Sequence, residues 1–120
     1  MTQHDDLAYL GHMLETARDA VASLTGVTYE QFASDQNLRF ALAHRVQIIG
    51  EAARRVSEAT RQAFDLPWIQ IIGMRHKIVH DYMGIDFDLV WSTAVNDLPQ
   101  LIATLERSLP DEPVVTPERS

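Results

Sequence analysis

The sequence predicts an all-α protein, an antiparallel bundle of four to five helices. Apolar residues recur at three- and four-residue intervals over most of the chain. No segment carries the two-residue alternation of a half-buried strand, and glycine, proline and capping residues fall between the periodic stretches. At 120 residues the chain is long enough for one core and no more. The expected division is a single helical domain over residues 1–109, followed by a loose, acidic, proline-rich tail over 110–120.

The first helix is expected from Asp5 to Leu24, with Leu7, Leu10, Leu14, Ala17, Val21 and Leu24 forming its stripe and Gly26 ending it. Thr28 caps a short helical turn that reaches Phe32. Ser34 or Asp35 caps a second long helix that ends near Ser57. Leu38, Leu42, Val46, Ile49, Ala53 and Val56 make its apolar face, and Ala41, Ile48 and Ala52 widen it enough to meet more than one neighbour. Glu51 flanks that face and is expected to be partly buried. Ser57 to Phe64 reads as a connecting helix. Pro67 starts a third long helix that runs to Tyr82, with Gly84 as its stop. Asp86 caps the last helix, which reaches Ser108 and is kinked where Pro99 interrupts it.

Composition narrows the function. With no cysteine there are no disulfides and no thiolate metal sites. No apolar run spans a bilayer, and the opening residues are polar and acidic where a secretory leader is basic, so the cytoplasm is the expected compartment. The net charge is −7, yet seven Lys/Arg face three Asp/Glu between positions 39 and 80, a local balance of +4. Such a block either presents a basic face to a phosphate backbone or decorates a solvated helix.

Within it, Gly73-Met74-Arg75-His76-Lys77-Ile78-Val79-His80-Asp81-Tyr82 gathers an arginine, two histidines, a lysine and a tyrosine between apolar runs. On a continuous helix Arg75 falls on the apolar face, within about 40° of Trp68, Val79 and Tyr82. A guanidinium there needs a partner, either Glu51 from the second helix or an anion in a cleft. His76 and His80 share a flank with Gly73, where another helix could come close. Arginine forks onto phosphate and imidazole moves protons at neutral pH, a pairing suited to attack by a ribose 2′-hydroxyl on its own phosphodiester. On a straight helix Arg75 and His80 lie about 140° apart, so either two chains share a site or the helix end loosens. Spacing alone is weak evidence. A second Arg-x4-His, Arg39 to His44, is read as a false positive because no tyrosine and turn follow it. His76, His80 and Asp81 have metal-ligand spacing without a third strong ligand, so no metal or other cofactor is expected. Trp68, Trp91 and the methionines read as core, and His4, His12 and His44 as surface or boundary residues.

The order Ile48-Gly50-Glu51-Ala52-Ala53, Pro67-Trp68-Ile71-Gly73-Met74-Arg75, His80-Asp81-Tyr82, Ile85-Asp86 and Val90-Trp91 resembles HepT-like toxins of the HEPN superfamily, over about Leu7 to Leu109. The resemblance implies a HEPN-like bundle that pairs as a homodimer with its motifs facing one another. It also implies a metal-independent ribonuclease acting through Arg75 and His80, with His76, Glu51 and Lys77 in support. Family sequences more often carry asparagine at the position of His76. The implied partner is a minimal nucleotidyltransferase antitoxin that attaches AMP to the residue matching Tyr82; RNA is the implied substrate, and no membrane is involved. The competing expectation is a non-catalytic helical subunit that partners a nucleotidyltransferase or binds nucleotide.

Overall fold

The computed structural model describes residues 3–80 and 84–109, with side chains from 5 to 79 and from 84 to 109. The expected all-α bundle is what forms. Its helices are α1 (Gln3–Ala22), α2 (Tyr29–Ser34), α3 (Gln36–Arg54), α4 (Glu58–Ala63), α5 (Trp68–Ile78), α6 (Phe87–Ser92) and α7 (Leu98–Ser108). The segment 110–120 lies outside the described residues. Among the described residues no helix is long and apolar enough to cross a membrane.

Helix α3 is the centre of the bundle, with α1 packed on one side and α5 on another, while α1 also meets α7. Its broad apolar face does serve several neighbours, through buried Leu42, Ala43, Val46, Ile49, Gly50, Ala52 and Ala53. Caps set the helix starts much as expected. Thr28 and Gln31 form a capping box on α2, Asp35 accepts from the Leu38 amide, Ser57 caps α4, and Asp86 accepts from the Leu89 amide. Phe32 packs on Trp91 at 5.1 Å between ring centroids, and Tyr29 meets the same indole edge-on at 5.7 Å. Trp68 is half-buried and donates its indole N–H to the Phe64 carbonyl at 3.1 Å.

The α1 stripe holds at Leu10, Leu14 and Ala17, which are buried, and at Val21 and Leu24, which pack half-buried on the core, but it begins one residue early and is broader than expected. Leu7 is exposed, and the buried line runs through Asp6, Leu10, Met13, Leu14, Thr16, Ala17 and Ala20. Asp6 belongs to the buried line because its carboxylate leaves solvent to accept from the Ser57 amide at 3.0 Å and from the hydroxyls of Ser57 and Thr60 at 2.6 Å each. This ties the first turn of α1 to the N-terminus of α4.

Two further departures follow from backbone chemistry. Pro99 lacks an N–H and its ring crowds the carbonyl four residues back. The last helix absorbs this with a π turn over Thr93–Asp97, where the Leu98 amide reaches the Thr93 carbonyl, and then continues as α7. The third long helix does not run to Tyr82. It ends at Ile78, and Val79–His80 pairs antiparallel with Gly84–Ile85, so a short ribbon exists where no strand was expected. Val79 is β-branched and takes an extended conformation, and Gly84 turns the chain back at φ +104°, a region that favours glycine. The Asp86 amide then closes onto the Ile78 carbonyl at 2.7 Å.

Candidate functional site

Helix α5 turns Ile71, Met74 and Ile78 into the core. That buried line is centred on Met74, one residue and therefore about 100° from Arg75. Arg75 is consequently exposed, as are His76 and Lys77, and the expectation that Arg75 sits in the middle of the apolar face does not hold. Trp68, Val79 and Tyr82 form one apolar stripe only on a continuous, evenly packed helix. Trp68 and Val79 are only half-buried, and the helix has ended before Tyr82.

Glu51 does not neutralise Arg75. It is exposed rather than partly buried, and its carboxylate pairs with Arg54 at 2.7 Å and Arg55 at 3.5 Å on its own helix. The Arg54 hydrogen bond, followed by the charges of Arg54, Arg55 and Arg75, holds the Glu51 carboxyl below its ordinary pKa. Arg75 therefore lies within electrostatic reach of Glu51 without forming an ion pair to it. Among the described residues, Arg54, Arg55 and Arg61 are in ion pairs, whereas Arg39, Arg45, Arg75 and Lys77 are not.

What brings α5 beside Glu51 is Gly50. A side chain there would place its Cβ 3.0 Å from the Ile71 carbonyl, so glycine lets the two backbones meet closely where any larger residue would press them apart. The close approach expected at Gly73 is absent, since nothing lies within 4 Å of where its Cβ would stand. Gly73 instead belongs to an open outer face of α5, with Ile72, His76 and Ile69 on the same side. Ile69 is 85% exposed.

The end of α5 at Ile78 changes the relation of Arg75 to His80. The helix end does loosen. Arg75 stays on the helix and His80 stands on the ribbon strand that follows. The side chain of His80, with Asp81 and Tyr82 entirely, lies outside the described residues. His12 and His44 are exposed, in keeping with a surface role. Among the described residues no three His, Asp or Glu side chains gather as a metal site. A cleft of about 440 Å³ does open between α5 and α7, lined by Leu66, Gln70, Met74, Leu98 and Leu101 among others, but it contains none of these candidate residues.

The structure thus defines a helical bundle that displays an exposed arginine, in no ion pair among the described residues, shortly before a strand that carries a histidine. Comparison with known proteins supplies the family. The profile of the HepT-like ribonucleases matches residues 13–108. A protein of Methanocaldococcus jannaschii that carries a provisional RNase name is 32% identical over 107 residues, covering 88% of this chain and 98% of its own. A similarly named protein of Caldanaerobacter subterraneus is 30% identical, covering 87% and 94%. One of Thermococcus cleftensis, provisionally named ribonuclease HepT, is 32% identical over 82 residues, covering 68% and 74%. No solved structure matches. The chain belongs to the HepT-like ribonuclease family.

Proposed function

We propose that this chain is the toxin of a toxin–antitoxin pair, a metal-independent endoribonuclease that acts through Arg75 and His80. The observation that carries the proposal is the exposed Arg75, in no ion pair among the described residues, on the last turn of a helix that unwinds into the strand bearing His80. The ribose 2′-oxygen attacks the adjacent phosphorus and the bond from phosphorus to the 5′-oxygen breaks. His80 takes the 2′-hydroxyl proton and passes it to the departing oxygen, while Arg75 stabilises the added charge on the phosphoryl oxygens. His76 and Lys77 add polar and cationic contacts, and Glu51, kept ionised by Arg54 and Arg55, supports Arg75 through its charge alone. The test is cleavage of single-stranded RNA by purified protein in a chelator. Wild type should cut, and His80→Ala should not, with its helical spectrum intact. Equal residual cutting in the variant points to a contaminant or to a non-catalytic binding subunit.

The functional unit in this reading is a homodimer joined through the outer face of α5. Ile69 and Ile72 would otherwise leave apolar surface in water, and Gly73 lets a second backbone come near. Ile69→Glu should convert the dimer to monomer in sedimentation and lower RNA cleavage at least tenfold, because a buried unpaired charge at such a contact is costly. A variant that stays dimeric removes this face from the interface.

Neutralisation is assigned to a nucleotidyltransferase partner that attaches AMP to Tyr82. A phosphodiester on that tyrosine adds negative charge and bulk two residues from His80, competing with RNA for the same cations. Co-expression with the partner should add one AMP mass, lost in Tyr82→Phe; a shift mapping to another residue rejects the assignment.

A further inference from the structure

The second Arg-x4-His, set aside on sequence grounds, begins at a distinctive piece of surface. Phe40 of α3 and Phe87 of α6 meet edge to face, with ring centroids 5.2 Å apart and planes at 86°. The Arg39 guanidinium carbon lies 4.8 Å from the Phe87 centroid, and its Nε is buried without a hydrogen-bond partner. Among the described residues no carboxylate pairs with Arg39. The acids that precede α3 and α6, Asp35 and Asp86, accept from backbone amides as helix caps. Phe40 itself is 48% exposed.

A single exposed phenylalanine is ordinary on a protein surface. Its setting makes this one informative. Phe87 comes directly after the ribbon that carries His80, and the Asp86 amide binds back to Ile78. Helix α5 runs back along α3, since Ile71 lies against Gly50 while Phe87, further along the chain, lies against Phe40. On α3, Phe40, His44, Gln47 and Glu51 fall within about 60° of one another and span roughly 16 Å. One stripe therefore leads from the Phe40 ring to the neighbourhood of Arg75. The stripe beyond Phe40 is polar, which does not suit the contiguous apolar centre of a protein interface. An aromatic ring backed by a guanidinium that makes no ion pair among the described residues suits a base and its phosphate, and the stripe that follows reaches the second such guanidinium at Arg75.

We propose that Phe40, held by Phe87 and Arg39, is a stacking residue for a nucleobase of single-stranded RNA whose backbone continues to Arg75. This deepens the ribonuclease reading and rests on it. Stacking is indifferent to base identity, so the platform positions the strand and sets little sequence preference. The test uses a 2′-O-methyl oligonucleotide containing 2-aminopurine, which binds but offers no 2′-hydroxyl for cleavage. Phe40→Ala should weaken binding by the full-length protein roughly 5- to 100-fold and remove the quenching of the fluorescent base. Phe40→Trp should restore both, and neither change should alter sedimentation without RNA. Unchanged affinity in Phe40→Ala, with wild type still binding the oligonucleotide, overturns the stacking role and leaves the ribonuclease reading intact. Altered sedimentation of Phe40→Ala places the ring at a contact between chains and also overturns it. If wild type neither binds this oligonucleotide nor cleaves its unmodified counterpart, the ribonuclease reading fails and the stacking role with it.

Discussion

Arg75→Ala is expected to slow RNA cleavage by about 100- to 1,000-fold, the loss typical of removing one donor that stabilises transition-state charge. Its thermal midpoint should stay within a degree or two of wild type. Both halves of the expectation come from the same geometry. The guanidinium is exposed and makes no ion pair among the described residues, so its removal breaks no native contact of consequence. It also stands one turn before the unwound end of α5, where a phosphate held by it would lie beside the ribbon. Arg75→Lys should recover only part of the activity, because an ammonium keeps the charge and loses the planar fork. Single-turnover cleavage measured beside a melting curve separates the two effects. A large fall in the melting midpoint with activity lost in proportion would show Arg75 to be structural.

The largest expected effect on stability belongs to Asp6. Its carboxylate is 1% exposed and accepts three hydrogen bonds from Ser57 and Thr60. Alanine there strands two hydroxyls and an amide at the junction of α1 with α4, and the melting midpoint should fall by about 10 °C. The pH dependence has a definite sign. Hydrogen bonds from Ser57, and then Thr60, hold the Asp6 carboxyl below its ordinary pKa. A depressed carboxylate contributes its full stabilisation above the unfolded value of about 3.9 and loses it as pH falls through the folded one. Asp6→Asn should therefore trail wild type at neutral pH, and the gap should narrow only below about pH 4. A gap that stays constant into acid would mean that the lost shape of the carboxylate, not its charge, is what matters.

Much of the bundle was legible because its rules are local. Apolar spacing and the caps at Thr28, Asp35 and Asp86 placed most helix starts to within a residue or two. What escaped depends on tertiary context. Asp6 stands four residues before Leu10 on the buried line, but its partners are 51 and 54 residues away, and a carboxylate counts as polar in any periodic pattern. Gly50 and Gly73 look alike in sequence, and only the position of α5 decides which one meets a neighbouring backbone. The end of α5 was missed because Ile78-Val79 continues the apolar pattern into the ribbon. The signal that was present is a β-branched residue followed five positions later by a glycine suited to positive φ.

The candidate site was legible in a different way. The motif named Arg75 and His80, and the structure then changed what surrounds Arg75, from a buried cation that needed either Glu51 or a bound anion to an exposed one with no ion pair among the described residues. That change strengthens the case for an anionic ligand, since a cation already satisfied by a carboxylate has little to offer a phosphate. The Arg39 copy was discarded for lack of a tyrosine and turn. Its arginine and the phenylalanine after it nevertheless pack against the segment that follows the motif.

The central claim is that Arg75 and His80 direct a ribose 2′-hydroxyl onto its own phosphodiester. The end groups left on a labelled single-stranded RNA, cut by purified wild-type protein in excess chelator, test it most directly. The expected products are a 2′,3′-cyclic phosphate on one fragment and a 5′-hydroxyl on the other, absent with His80→Ala. Fragments ending in a 3′-hydroxyl and a 5′-phosphate would mean that water or another external nucleophile attacks, and would contradict the account.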